Sequence, residues 1–146
     1  MGQAKHKKQH STLQATTSLD PDGAAQLVKH VGDSIKSSIP GAAYVRFEGA
    51  APGQLTFTVR GGGHTWGGGP VMSFIVKIER NAGGLTIVST HIDAFRTTQQ
   101  TVMFIPVSPK SLNGYRTYKR FADELATALR QQDPQSVATL TEVRQA

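Results

Sequence analysis

The start of the sequence changes from a strand-like pattern to a helical one. Residues 12–18 are rich in threonine and include two apolar side chains, which predicts a short β-strand. Asp20 and Pro21 then mark a helix start, because aspartate caps free backbone amides and proline fits the first helical position. Pro40-Gly41 is predicted to end this helix. Its apolar stripe consists of Ala24, Leu27, Val28, Val31 and Ile35.

The middle of the chain repeats its apolar residues with a period of two, which is typical of half-buried strands. Turn sequences at 51–53 and 81–84 join successive runs over only a few residues. Short connections of this kind favour antiparallel neighbours, so we expect a meander with one face in the core. The five predicted strands cover residues 44–48, 55–59, 72–79, 85–93 and 97–107.

A second helical pattern follows the strands, with Asn113 as its cap and Asp133-Pro134 as its end. Its apolar face consists of Tyr115, Tyr118, Phe121, Ala122, Leu125, Ala128 and Leu129. We expect an α+β fold: an antiparallel meander packed against this long C-terminal helix, with one N-terminal helix. The chain divides into a flexible basic arm at 1–11, a single domain at 12–132 and a tail at 133–146, which is frayed or forms a weak extra helix.

The predicted order of elements resembles the helix-grip arrangement of the Bet v 1/START-related superfamily, which includes polyketide cyclase-like proteins. The resemblance lies in a first strand at 12–18, a helix started by Asp20-Pro21, and a final helix over Tyr115–Leu129. It implies a curved sheet that grips the last helix, with an apolar ligand cavity between the two. The chain has one strand fewer than the family usually has, and one helix where two short ones are common.

Composition and charge narrow the classes of protein. The chain has no cysteine, which excludes disulfide scaffolds and thiol catalysis, and its apolar runs are too short for a membrane-spanning helix. We expect a soluble cytoplasmic domain without a membrane span. Lys5, Lys7 and Lys8 supply three of the six net positive charges, and residues 1–10 contain no acid. This arm is either a solubilising tail or a contact for nucleic acid, with a salt-sensitive affinity.

A glycine-rich segment at 60–70 contains His64 and Trp66, the only tryptophan of the chain. Ordering so many glycines costs conformational entropy, so a tryptophan among them indicates a contact made on binding. The spacing of the glycines does not match a phosphate-binding loop. The segment is interpreted as a lid over a binding site, and the alternative is a lengthened hairpin with Trp66 folded back on the sheet.

Two further groups of residues suggest chemistry. His91 and Asp93 lie two apart on a predicted strand and are expected on one face, but a metal site needs a third ligand. We therefore predict no catalytic residue, metal or cofactor, and we expect a binding protein rather than an enzyme. Basic residues at a helix start favour anion binding there, unless they only form a solvated face. The candidate anion-binding residues are Lys110, Ser111, Asn113, Arg116 and Arg120.

Two functional hypotheses follow from these patterns. The first is a domain that holds an apolar small molecule between the sheet and the C-terminal helix, under the glycine-rich lid. Its candidate ligand-binding residues are Phe57, His64, Trp66, Phe74, Val76 and Tyr118. The alternative is an interaction protein that binds nucleic acid or an acidic protein weakly, through the arm and the Lys110–Arg120 cluster, with a strong dependence on salt.

Overall fold

A computed structural model describes residues 11–35, 43–60, 70–95, 97–98, 101–102, 105–106, 111–112 and 115–141 of this chain. The helices are α1 (Pro21–Ser34) and α2 (Tyr115–Gln132). The longer strands are β1 (Thr12–Thr17), β2 (Tyr44–Ala51), β3 (Gln54–Arg60), β4 (Pro70–Arg80), β5 (Thr86–Phe95) and β10 (Val137–Thr141). Four short strands lie between β5 and α2: β6 (Thr97–Thr98), β7 (Thr101–Val102), β8 (Ile105–Pro106) and β9 (Ser111–Leu112).

Six strands form one antiparallel sheet in the order β10-β1-β5-β4-β3-β2. Strands β2 to β5 correspond to the first four strands of the predicted five-strand meander, and tight turns join β2 to β3 and β4 to β5. Strand β1 lies between β5 and β10, although both are distant from it in sequence. The predicted α+β fold, an antiparallel sheet with two helices, is confirmed.

Helix α1 begins where its capping signal predicts. The Asp20 carboxylate accepts a hydrogen bond from the Gly23 amide at 2.7 Å, and Pro21 occupies the first turn. The helix ends at Ser34, earlier than Pro40-Gly41 had indicated, and the Ile35 carbonyl accepts the Val45 amide of β2 at 3.0 Å. This tertiary hydrogen bond directs the chain from the helix into the meander.

The core lies between one face of the sheet and the two helices. Phe57 of β3 contacts both helices, since its ring lies against Gly32 of α1 and 5.4 Å from the Phe121 ring of α2. The alternating pattern of β3 and β4 therefore points its apolar side inward, as predicted. Neither of the helices in the described ranges is long and apolar enough to cross a bilayer.

Two stretches differ from the sequence predictions. Residues 97–107 were expected as one meander strand, but their described parts form two-residue strands outside the six-stranded sheet, and Pro106 in β8 lacks the amide of a ladder strand. Within the expected tail at 133–146, Val137–Thr141 instead form β10 at the edge of the sheet. Only pairing with β1, more than a hundred residues earlier, turns this weakly alternating segment into a strand.

Alanine is predicted to destabilise the protein at Gly32, although glycine is usually unfavourable in a helix. An alanine Cβ there would lie 2.8 Å from Phe57 Cε1, and that ring is held by other rings. Alanine improves helix propensity by about 1 kcal/mol, while overpacking costs about 1–3 kcal/mol. We expect Gly32→Ala to lower the free energy of unfolding by about 1 kcal/mol in urea denaturation.

The matched control is Gly49→Ala, because a Cβ at Gly49 meets nothing within 4 Å. This variant should unfold at the urea concentration of the original protein or above it. A Gly32→Ala protein as stable as the Gly49→Ala protein would contradict the close contact between α1 and the Phe57 ring.

Candidate functional site

Four of the candidate ligand-binding residues meet in the interior between the sheet and α2. Phe57, Phe74, Val76 and Tyr118 are all 0% exposed. The Phe57 and Phe74 rings stack at 5.4 Å, and Tyr118 meets Phe74 edge-on at 5.2 Å. Phe121 completes the cluster with its ring 4.9 Å from that of Phe74. The structure thus brings these residues together as packed neighbours, and their role in ligand binding stays a prediction.

A chain of hydrogen bonds crosses this interior. The Leu13 amide donates to Thr90 Oγ1 at 2.9 Å, and Thr90 Oγ1 lies 2.6 Å from the Tyr118 hydroxyl. The Tyr118 hydroxyl donates to the Ser11 carbonyl at 2.8 Å, so the Thr90 hydroxyl is the donor to Tyr118. Each polar group in this series of hydrogen bonds has a partner, as buried polar groups require.

The same chain of hydroxyl groups joins the start of β1 to the start of α2. The Tyr115 hydroxyl adds a second bond from α2, donating to Ser11 Oγ at 3.1 Å. Burial raises the pKa of Tyr118 to about 12, above its ordinary value of 10.0, although the bond with Thr90 opposes this rise. The folded protein therefore holds the hydroxyl proton of Tyr118 more tightly than the unfolded chain does. The stability that this protonated hydroxyl contributes is present below pH 10 and is lost as the pH rises toward 12.

Ser11, the first described residue, is bonded to the start of α2. Residues 1–10 of the basic arm precede Ser11 in the chain, and Ser11 is bonded to the first turns of α2. Those turns carry Arg116, Lys119 and Arg120, all exposed, and no acid in the first turn. We call Ser11 together with these three basic residues the basic end.

At the basic end, Arg120 forms an ion pair that is exposed to solvent. The Arg120 Nε lies 3.7 Å from Glu124 Oε1 one helical turn away, and about half of each side chain is exposed to solvent. An exposed pair of this kind is screened by water and contributes little. Arg120 therefore retains a positive charge that an external anion can approach.

Several predicted site residues lie outside the described residues. These are His64 and Trp66 of the glycine-rich segment, and Lys110 and Asn113 ahead of α2. Ser111 is described by its backbone only, as part of β9, where it pairs with Thr98 of β6. The lid and the anion-binding roles of these residues stay predictions.

The pairing of His91 with Asp93 rests on regular alternation, which the structure interrupts. Ser73 pairs with Ala94 and Phe74 with Ile92, so Asp93 is an extra residue in a β-bulge. Burial lowers the pKa of His91, and the neighbouring Lys77 lowers it further. Across the part of the chain that the structure describes, no three His, Cys, Asp or Glu residues are grouped as a metal site requires.

Sequence reasoning missed a cluster at the other end of α2. Asp133 Oδ2 accepts hydrogen bonds from the Ser18 amide at 2.9 Å, the Ser18 hydroxyl at 2.8 Å and the Ser136 hydroxyl at 3.2 Å. These bonds, led by the one from the Ser18 amide, lower the pKa of Asp133 to about 2. The Asp-Pro sequence had been interpreted only as a helix end, whereas the carboxylate joins that end to β1.

Comparison with known proteins adds no identity to these observations. No protein-family model matches the chain, and no characterised protein matches it either. The helix-grip resemblance accordingly stays a prediction from the order of elements.

The buried hydroxyl chain is predicted to stabilise the fold. Tyr118→Phe keeps the ring but leaves the Ser11 carbonyl without its donor, which should cost about 1–3 kcal/mol of unfolding free energy. Thr90→Val should cost a similar amount because the buried Leu13 amide loses its acceptor. Since the two hydroxyls serve one chain, the double variant should lose less than the sum in urea denaturation. Strictly additive losses of unfolding free energy would contradict a coupling of the two hydroxyls in one series of hydrogen bonds.

The Asp133 cluster predicts a specific acid sensitivity. The pKa of Asp133 falls from 3.8 to about 2 on folding, so its contribution is complete above about pH 4 and is lost as the pH falls toward 2. Asp133→Asn should lower the melting temperature at neutral pH and flatten its fall between pH 4 and pH 2. A variant whose melting temperature falls as steeply as that of the original protein would contradict this assignment.

Proposed function

We propose that this protein is an interaction protein that binds nucleic acid, a polyanion, through the basic arm and the basic end. The observation that carries this proposal is the pair of hydrogen bonds from Tyr115 and Tyr118 to Ser11. They hold Ser11, the residue that follows the lysines of the arm, at the basic turns of α2. In this proposal the three lysines of the arm and the three basic residues of α2 contact the same polyanion.

The arrangement supports contact with a phosphate backbone rather than sequence readout. The two segments contain six basic residues, and Asp123 and Glu124, the next acids along α2, follow the basic turns. Lysine and arginine contacts to phosphates give affinity that is independent of sequence and is lost with salt. The six basic residues are Lys5, Lys7, Lys8, Arg116, Lys119 and Arg120.

An apolar small molecule bound between the sheet and α2 is the second candidate function. It is favoured by the adjacency of Phe57, Phe74, Val76 and Tyr118, which are distant in sequence and share one apolar interior. Because these rings contact one another, a ligand would have to separate them. Binding would therefore shift the aromatic resonances in NMR spectra during titration with fatty acids, sterols or polyketide-like aromatics.

Loss of the arm is predicted to weaken nucleic-acid binding without unfolding the domain. With a fluorescein-labelled DNA duplex as the probe, removal of residues 1–10 should reduce the slope of log affinity against log salt by about 3, roughly 0.9 for each lysine. Replacing Lys5, Lys7 and Lys8 with glutamine should have the same effect at full chain length. Arg116→Gln combined with Arg120→Gln should reduce the slope further, by about 2.

Arg80→Gln is the matched control, because Arg80 is an exposed cation at the opposite end of the sheet from Ser11. It should leave the salt slope unchanged. Absence of duplex binding at low salt would refute the proposal, and so would an equal loss from Arg80→Gln and from the arm variants. If ligand titration moves the aromatic resonances while duplex binding is absent, the second candidate replaces the first.

A further inference from the structure

The two edges of the sheet differ in their protection against pairing with another strand. Edge strand β2 carries the charged residues Arg46 and Glu48, and its ladder is interrupted by a bulge. Edge strand β10 has the sequence VATLT, with no charge, no proline and no register shift in its pairing with β1. Its Val137 is 66% exposed. In the described ranges, β10 is thus the edge better suited to receive a strand.

The hydrogen bonds around β1 show which groups of β10 face outward. The amide of Leu13 points toward β5, where it donates to Thr90 Oγ1. In an antiparallel ladder the amide and carbonyl of one residue point to the same side, so Leu13 does not bond its register partner Leu140. Ala138, two residues from Leu140, has the same orientation. The amides and carbonyls of Ala138 and Leu140 therefore point away from β1.

A side chain of α2 gives independent support for this orientation. Arg130 Nη2 donates to the Ala138 carbonyl at 3.1 Å. A carbonyl bonded to β1 in the ladder would point toward β1. The Ala138 carbonyl is bonded to Arg130 instead, which agrees with its pointing away from β1. The guanidinium occupies the position that a backbone amide of a further strand would take.

We propose that β10 pairs antiparallel with the β10 of a second copy of this chain, after Arg130 releases the Ala138 carbonyl. The outward groups of Ala138 then exchange two hydrogen bonds with those of the second copy's Leu140, and the two-fold axis repeats the exchange. Thr139 faces Thr139 of the second copy, and Val137 faces its Thr141. The segment is complementary to itself in this register, because no charges meet and polar residues lie opposite polar or β-branched ones.

The size of the contact sets its strength. Only the five residues of β10 form the contact on each side. Stable interfaces bury roughly 1,200–2,000 Å² and involve about 20–30 residues a side, so this contact is much smaller. Displacing Arg130 adds a further cost. We therefore expect a weak association that depends on concentration, in which Arg130 disfavours pairing.

A single engineered cysteine tests the register, because the chain has none of its own. Opposed Thr139 residues would place their Cα atoms about 4.5 Å apart, within disulfide range. Thr139→Cys should thus form a covalent dimer under mild oxidation of the full chain. Thr141→Cys is the matched control on the same strand: its Cα would lie about 14 Å from its own counterpart, so it should not cross-link.

The role of Arg130 is tested by sedimentation over a range of protein concentrations. Arg130→Ala should shift the monomer–dimer equilibrium toward the dimer and speed cross-linking of Thr139→Cys. Ala138→Pro removes an outward amide without removing a bond to β1, and it should abolish both effects, while circular dichroism checks that the variant is folded. Equal cross-linking at positions 139 and 141 would overturn the proposal. So would an Arg130→Ala protein that associates no more strongly than the original.

Discussion

Strand β1 holds the two distant parts of the sheet together, and the two ends of α2 keep it in place. At the start of β1, Tyr118 and Thr90 bond to Ser11 and Leu13; past its end, Asp133 bonds to Ser18. No local turn positions β1, since both of its neighbours are far along the chain. Because a one-residue slip would leave these polar groups unpaired, the two sets of bonds select one register.

The proposed polyanion binding and the proposed pairing of β10 both depend on this placement of β1. Ser11, which directly precedes β1 and follows the lysine-containing N-terminal segment, is bonded to the first, basic turns of α2. Its other edge supports β10, whose outward groups follow from the direction of the Leu13 amide. The interior cluster around Phe74 packs the sheet against α2, and the hydrogen-bonded hydroxyls of Thr90 and Tyr118 are shielded from solvent.

The candidate site was predictable only where its signals are local. The basic residues of the arm and of α2 can be read directly from the sequence, as can the apolar character of Phe57 and Tyr118. The hydrogen bond from Tyr118 to Ser11 could not be predicted, because it joins residues more than a hundred positions apart. Asp133 illustrates the difference: its place before a proline indicates a helix end, but its four protein partners depend on the position of β1 and on the turn that follows.

The sequence by itself determined the helices and the meander. The Asp20 cap and the apolar face of α2 depend on neighbours within a few turns, and alternation together with short turns specifies β2 to β5. Tertiary structure decided the rest: the end of α1, the bulge at Asp93, the edge strand β10 and the bonds between Ser11 and α2. Each of these depends on a hydrogen bond or ladder between distant residues, and such pairing leaves little trace in the local pattern of polar and apolar positions.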